Sequence, residues 1–334
     1  MLKGENQQMR KFHPSKLILA LLLLVLSNWA QAEVSFSQVY VFGDSLSDTG
    51  NLGSIVGDLP PPFYMNRISN GPVAVETLAA RLGLTAEASL HLLLPEVGSN
   101  YAVAGANAAG VEPIDLGTQI LSFQANHIVA PADALYVILI GGNDVRDARD
   151  ETNFWLARSK VKDAAAKVRK AVENLARIGA HSFLLVNSPN IGLIPETQLI
   201  ATTTDDPDLI TRTRALSKLY QRELRRAATH LRYTRYVHIT EFDLFSFFND
   251  LVENAADYGF NNTTDACFSS SNLTFHPDCD SGANFDQFIF FDEIHPTARV
   301  HALIGEALYE SLDSPKEETW LEWYLSRFNI SIYP

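Results

Sequence analysis

Several short stretches of the chain are apolar without polar alternation, and this feature limits the possible folds most strongly. The clearest is Leu-Tyr-Val-Ile-Leu-Ile at Leu135–Ile140. A strand with one face in water alternates apolar and polar residues, whereas a parallel strand covered on both faces is a continuous apolar run. The sequence therefore predicts buried parallel strands at Val39–Phe42, Leu135–Ile140 and Ser182–Val186, with a weaker fourth at Tyr236–Ile239.

Segments with apolar residues at helical spacing lie between and after these strands. The predicted helices are Val73–Leu82, Asn153–Ile178, Leu209–Leu231 and Ala298–Leu312. Strands that alternate with helices favour an α/β fold, here a single domain with three α/β/α layers and a mainly parallel sheet. The segments Pro60–Asn70 and Asn261–Asn284 are long loops, and long loops in a compact domain are often binding loops.

Polar residues follow the predicted strands at the points where these end. Ser45, Asn143 and Asn187 each come soon after the last apolar residue of a strand. Ligands of parallel α/β sheets bind beyond the carboxyl ends of the strands. We therefore expect all three side chains at one edge of the sheet.

The N-terminus has the pattern of a secretory signal peptide. A basic segment precedes the aliphatic run Leu17–Leu26, and small residues at Ala30 and Ala32 mark a cleavage site after Ala32. The predicted organisation is a signal peptide at 1–32 and a mature domain at 33–334, in a secreted or periplasmic protein. A membrane anchor is the less suitable alternative, because a span needs about 20 apolar residues. Met9 opens a signal of more ordinary length and is an alternative start.

The mature chain is strongly acidic. The full sequence has 26 Lys and Arg against 39 Asp and Glu. Residues 1–32 contain four of the basic and one of the acidic residues, which leaves 22 against 38, a net charge of −16. Nucleic acid and anionic lipid surfaces would repel such a protein, so no nucleic-acid partner is expected.

The two cysteines, Cys267 and Cys279, lie in one stretch rich in Asn, Ser and Asp. Zinc frameworks need more ligands at closer spacing, so no metal site is expected. In an exported protein, two neighbouring cysteines are predicted to form one disulfide, and two free thiols are the alternative.

Ser45 is the first candidate for chemistry. It lies at a tight turn, Gly43-Asp44-Ser45, between a strand and a predicted helix start, where N–H groups favour negative charge. A serine nucleophile needs such donors for the oxyanion, and a base for its proton. Alone, this pattern also fits a helix N-cap.

A carboxylate and a histidine occur near the other end of the chain, at Asp292 and His295. A tight turn over three residues lets Asp292 hold one ring nitrogen while the other faces a serine, as in a Ser-His-Asp triad. His295 also fits a helix N-terminus beside Pro296, and Glu293 competes with Asp292 for the orienting role. We expect Glu293 to point elsewhere.

Together these motifs resemble the GDSL esterases and lipases, also called SGNH hydrolases. The matching blocks occur in the family's order and span residues 39–300, nearly the whole mature chain. They are 43–51 (Gly-Asp-Ser-Leu-Ser-Asp-Thr-Gly-Asn), 98–106 (Gly-Ser-Asn-Tyr-Ala-Val-Ala-Gly-Ala), 141–144 (Gly-Gly-Asn-Asp) and 292–296 (Asp-Glu-Ile-His-Pro).

The resemblance implies a flavodoxin-like fold and a role for each matching residue. Ser45 would attack the ester carbonyl, and His295, held by Asp292, would act as base and then as acid. The backbone N–H groups of Ser45 and Gly105 and the side chain of Asn143 would form the oxyanion hole. Asp44 is interpreted as a turn residue, as is Asp48, and no metal or organic cofactor is implied.

The long first block and the second block are similar to those of secreted bacterial lysophospholipases, lipases and lipid acyltransferases. We expect hydrolysis of lipid acyl esters, with acyltransferase as a further activity. An apolar lip at 60–64 and aromatic residues at Trp320–Phe328 fit transient contact with a membrane surface, although a packed terminal helix explains the second segment as well. The alternatives are a short-chain or choline-ester esterase and a non-catalytic ligand-binding protein.

Overall fold

The computed structural model describes residues 35–93, 95–235 and 237–313. Within these residues, the central sheet has four parallel strands, which pair in the order in which they occur along the chain. The fourth predicted strand begins at His238 and continues beyond its predicted end at Ile239; the other three are confirmed almost to the residue. The strands are β1 (Val39–Gly43), β2 (Leu135–Leu139), β3 (Ser182–Val186) and β4 (His238–Phe242).

Residues 99–103 extend the sheet beyond β1. The Val41 amide donates to the Ser99 carbonyl at 3.1 Å, and the Tyr101 amide donates to the Val41 carbonyl at 2.7 Å. The side chain of Asn100 is fully buried and donates to the Ser47 carbonyl at 2.6 Å. This edge segment therefore runs parallel to β1 and brings the following loop, which includes Gly105, to the edge where Ser45 lies.

Helices connect the strands, and the four predicted helices are confirmed with small shifts at their ends. Shorter helices were not predicted; Gly142–Arg149, for example, has only one valine and one alanine as apolar residues and so lacks a periodic pattern. The helices are α1 (Asn51–Val56), α2 (Ala74–Arg81), α3 (Leu116–Asn126), α4 (Gly142–Arg149), α5 (Phe154–Arg177), α6 (Pro195–Thr203), α7 (Leu209–Arg235), α8 (Leu244–Glu253) and α9 (Ala298–Asp313).

The predicted three layers are confirmed by how these helices pack. Helices α5 and α7 pack on each other and α2 packs on α9. Right-handed crossovers from β2 to β3 and from β3 to β4 place α5 and α7 on one face. The path from β1 to the edge segment runs in the opposite direction, so α2 and its partner α9 cover the other face.

The long segment 261–290 forms a small substructure of its own. Strand β5 (Asn262–Ala266) pairs in parallel with β8 (Phe288–Phe290), and β6 (Phe268–Ser269) pairs with β7 (Thr274–Phe275). The predicted disulfide between Cys267 and Cys279 is present, and the two Cα atoms are 5.4 Å apart. Both cysteines are buried against Phe288.

The predicted signal peptide at 1–32 and the aromatic segment Trp320–Phe328 lie outside the described residues. Within the described ranges, no helix combines the length and apolar character that a membrane crossing requires.

Candidate active site

Ser45 lies in a tight turn at the carboxyl end of β1. The amides of Ser47 and Asp48 both donate to the Asp44 carbonyl at 3.0 Å, and the Leu46 amide donates to Asp44 Oδ1 at 3.1 Å. A side chain at Gly43 would not fit, because its Cβ would lie 2.3 Å from the carbonyl oxygen of Leu139 on β2. The close contact of β1 with β2 thus fixes the residue from which the serine turn starts.

The structure brings Asp292 and His295 to this serine across 250 residues of sequence. His295 Nε2 lies 2.9 Å from Ser45 Oγ, and its Nδ1 lies 2.8 Å from Asp292 Oδ1 and 2.9 Å from Oδ2. Asp292 Oδ1 also accepts from the His295 amide at 2.7 Å. A histidine that donates from Nδ1 to the carboxylate has Nε2 available to accept the serine proton. The three-residue spacing thus gives the predicted arrangement.

Glu293 points away from the histidine, as predicted. Its carboxylate accepts from Ser269 Oγ at 2.6 Å and from Ser270 Oγ at 2.7 Å. Burial opposes its ionisation, but these hydrogen bonds outweigh burial and hold the pKa of Glu293 below its usual value. Glu293 therefore fastens the Asp292–His295 turn to the disulfide-bonded segment.

Asn143 and Gly105 lie in neighbouring segments beside Ser45. Asn143 is in the first turn of α4 and lines the same pocket as Ser45 and His295. Its Nδ2 donates to the carbonyl of Ala106 at 3.0 Å, which joins α4 to the loop that contains Gly105. Gly105 is exposed, with a φ of 89° that favours glycine.

A buried carboxylate, that of Asp144, supports the loop that contains Gly105, and the sequence motifs did not predict this role. Asp144 accepts from the amides of Ala108 at 2.8 Å and Ala109 at 2.9 Å. Burial raises the pKa of Asp144 to about 6 against these hydrogen bonds. Asp44 is a turn residue as expected, but it also lines the pocket, and burial raises its pKa to about 7.

Asn187 lies at the predicted edge of the sheet but does not reach the pocket. Its Nδ2 donates to Asp243 Oδ1 at 2.9 Å, and its Oδ1 accepts from the Phe245 amide at 2.8 Å. Asn187 therefore holds the start of α8 on β3. The strand-end pattern predicts the edge and not the direction of the side chain, which here bonds to Asp243 and to the Phe245 amide.

The pocket at Ser45 and His295 is lined mainly by apolar side chains. They come from the segment after β3, from α8, from the turn between Asp292 and His295 and from α9, and most of them are almost fully buried. The sequence offered no local signal for them, since they meet only in the folded chain. These residues include Ile191, Ile194, Leu244, Phe248, Ile294 and Ile304.

The predicted apolar lip packs inward at one position. Phe63 lies edge-on to Phe268 and Phe291, with ring centroids 6.0 and 5.3 Å apart. Tyr64 remains partly exposed at 40%. Segment 60–64 therefore contacts the residue that precedes Asp292, and its contact with lipid stays a prediction.

The family model described as GDSL-like lipase/acylhydrolase matches residues 39–308, most of the chain. The chain belongs to this family. Membership of the GDSL-like lipase/acylhydrolase family agrees with the order of the sequence blocks around Ser45, Gly105, Asn143 and His295. The protein is accordingly a carboxylic ester hydrolase.

Curated relatives of this GDSL-like hydrolase extend over most of its length. It is 24% identical over 340 residues to a phosphatidylcholine-sterol acyltransferase of Aeromonas hydrophila, covering 86% of this chain and 93% of the relative. It is 26% identical over 299 residues to a thermolabile hemolysin of Vibrio parahaemolyticus serotype O3:K6, covering 84% and 65%. It is 27% identical over 356 residues to acetylajmalan esterase 2 of Rauvolfia serpentina, covering 90% and 96%.

Proposed function

We propose that the protein is an exported lysophospholipase or lipase whose nucleophile is Ser45. Ser45 Oγ attacks the acyl carbonyl carbon while its proton passes to His295 Nε2. The imidazolium is stabilised by Asp292, and it then protonates the leaving alcohol oxygen, which leaves an acyl-serine ester. The observation that carries this proposal is the 2.9 Å contact of Ser45 Oγ with His295 Nε2.

The acyl enzyme is cleaved by the same groups in reverse. His295 takes a proton from water, the hydroxide attacks the acyl carbon, and Ser45 Oγ leaves with the proton from His295. If an alcohol replaces water, the acyl group is transferred to that alcohol, which is the acyltransferase side activity. The proposed oxyanion donors are the amides of Ser45 and Gly105 and the Asn143 side chain, and one such donor contributes roughly 3–4 kcal/mol to transition-state stabilisation.

A hydrocarbon acyl group is supported by the lining of the pocket. Buried side chains such as Ile191, Leu244 and Phe248 offer apolar surface beside the nucleophile. Each methylene removed from water there contributes about 0.8 kcal/mol to binding. A longer acyl chain would therefore bind more tightly until it outgrows the pocket.

A lipid substrate and export are supported by further observations. The Aeromonas relative is named for phosphatidylcholine and a sterol. A disulfide between Cys267 and Cys279 suits an oxidising compartment outside the cytoplasm, as does the signal pattern at 1–32.

A second candidate is a small-ester esterase. Acetylajmalan esterase 2, named for an acetyl ester, is a relative over nearly its whole length. The acidic mature chain also tolerates a cationic alcohol, as in a choline ester.

The test is an assay of the mature chain, 33–334, on lysophosphatidylcholine, diacyl phosphatidylcholine, a short p-nitrophenyl ester and an acylcholine. We expect the fastest turnover on lysophosphatidylcholine. Ser45→Ala should lower kcat by roughly 10⁴ or more on every substrate. Ser47→Ala is the matched control, since Ser47 is a buried serine of the same turn, and it should keep most of the activity.

Each outcome separates the candidates. Turnover confined to the p-nitrophenyl ester or acylcholine would assign the small-ester esterase. Activity that survives in Ser45→Ala would overturn Ser45 as nucleophile. Lipid binding without turnover by the unaltered chain would contradict the catalytic proposal and indicate a ligand-binding protein.

A further inference from the structure

The amide of Asn143 is held at both ends by partners of opposite polarity. Its Nδ2 donates to the Ala106 carbonyl at 3.0 Å, and its Oδ1 accepts from Arg146 Nη1 at 3.2 Å. An asparagine amide turned by 180° exchanges its oxygen with its NH₂ group. The turned amide would place oxygen against oxygen at Ala106 and NH₂ against a guanidinium at Arg146, so only one orientation satisfies both partners.

That orientation matters because Nδ2 carries two hydrogens. Ala106 takes one of them, which leaves the other for an oxygen atom in the pocket that Asn143 and Ser45 share. If the amide turned, its carbonyl oxygen would face the developing negative charge of the ester. A donor would then become a repulsive acceptor.

Arg146 is itself held in place by Glu196. Its Nε donates to Glu196 Oε2 at 2.9 Å and its Nη2 donates to Oε1 at 2.6 Å, a bidentate pair. Arg149, whose side chain is 2% exposed, donates to the same carboxylate at 2.8 Å. Burial opposes the charge on Glu196, but the two arginines outweigh burial and keep its pKa below the usual value.

Glu196 also connects the two halves of the site. Its backbone amide donates to the carbonyl of Glu293 at 2.8 Å, one residue after Asp292. The start of α6 therefore holds both the Asn143 side and the His295 side of the pocket. A shift of Glu196 would change both.

We propose that Arg146 is a positioning residue that keeps the NH₂ group of the Asn143 amide directed toward the reacting oxygen. Glu196 fixes the guanidinium that does so. Arg146 also lines the pocket, but in this role it acts through Asn143. The proposal rests on the oxyanion role proposed for Asn143.

The test is a double-mutant cycle on a soluble p-nitrophenyl ester, with Arg146→Met and Asn143→Ala alone and together. We expect Asn143→Ala to lower kcat by about 10²- to 10³-fold, and Arg146→Met by about 10- to 100-fold with KM nearly unchanged. In the Asn143→Ala background, Arg146→Met should have almost no further effect on kcat. Arg146→Lys keeps a charged N–H donor, and its kcat should lie between those of Arg146→Met and the unaltered enzyme.

Arg232→Met is the matched control. Arg232 pairs with Glu241 at 2.8 Å, and its side chain is 30% exposed against 26% for Arg146. It should lower the melting temperature about as much as Arg146→Met does, without the loss of kcat. Arg146 would have a merely structural role if Arg146→Met lowered the melting temperature more than Arg232→Met does and if titration of the active sites showed a matching loss of active enzyme.

The other outcomes are equally decisive. Independent, multiplicative losses in the cycle would overturn the action of Arg146 through Asn143. A raised KM for phospholipid with unchanged kcat would instead assign Arg146 to head-group binding. If Asn143→Ala leaves kcat unchanged, the oxyanion role fails, and if Ser45→Ala stays active, the proposed function fails first.

Discussion

Burial makes the folded protein prefer a protonated carboxyl at Asp44, the residue before Ser45. The side chain of Asp44 is 2% exposed, and burial raises its pKa from 3.8 to about 7. The amides of Leu46 and Gly141 and the nearby His295 favour the charged form, while Asp144 opposes it. Burial outweighs the favourable contacts, so ionisation of Asp44 costs folding free energy.

The sign of the pH dependence follows from this raised pKa. The folded protein binds the Asp44 proton more tightly than the unfolded chain does. The stability gained from the protonated form is complete below about pH 4 and is lost as the pH rises through about 7. A pKa raised from 3.8 to about 7 corresponds to roughly 4 kcal/mol in all, of which more than half is lost between pH 5 and pH 8.

Asp44→Asn should remove this pH dependence, because an amide has the shape of the neutral acid and keeps an acceptor for the Leu46 amide. We expect the variant to gain roughly 2–3 kcal/mol relative to the unaltered protein between pH 5 and pH 8. Urea unfolding followed by circular dichroism at four pH values measures this difference. Ser47→Ala, an uncharged change in the same turn, should differ from the unaltered protein by the same amount at each pH.

A constant difference between Asp44→Asn and the unaltered protein across this pH range would contradict a raised pKa for Asp44. It would mean that Asp44 is already ionised in the folded protein at pH 5. If the contacts with Leu46, Gly141 and His295 outweighed burial, the difference would also be constant between pH 5 and pH 8, because a lowered pKa changes stability only below about pH 4.

Two further substitutions test the frame of the site. Gly141→Ala should lower the free energy of unfolding, measured by thermal melts, by about 3 kcal/mol or more, since φ is 118° and the new Cβ would lie 2.3 Å from the Tyr220 ring. Gly83→Ala is the control. Gly83 also has a positive φ but lies in open space, so its replacement should cost only about 1–2 kcal/mol. Replacing Cys267 and Cys279 together by serine should lower the free energy of unfolding, measured in urea, by about 3 kcal/mol. A reductant should destabilise the native protein and not the serine variant; equal destabilisation of both would contradict this.

The sequence predicted those parts of the molecule whose signal is local. Leu135–Ile140 is a strand because a doubly covered strand has no polar alternation, and the turn from Asp292 to His295 needs only three residues. The pocket lining could not be predicted, since Ile191 and Phe248 reach Ser45 only after β3 and β4 have paired. The direction of the Asn187 side chain could not be predicted for a related reason: its amide donates to Asp243, a partner 56 residues away.

The loop that contains Gly105 is held from both sides by carboxylates that are themselves costly to bury. Asp48 Oδ2 accepts from the Ala104 amide at 2.8 Å, just before Gly105, and Asp144 accepts from the amides of Ala108 and Ala109 just after it. Burial raises the pKa of both carboxyls despite these hydrogen bonds. A loop whose amides are fixed before the substrate arrives needs no reorganisation when charge develops on an ester oxygen. Stability is thus given up at Asp48 and Asp144 where rigidity of the Gly105 amide would lower the barrier of the reaction.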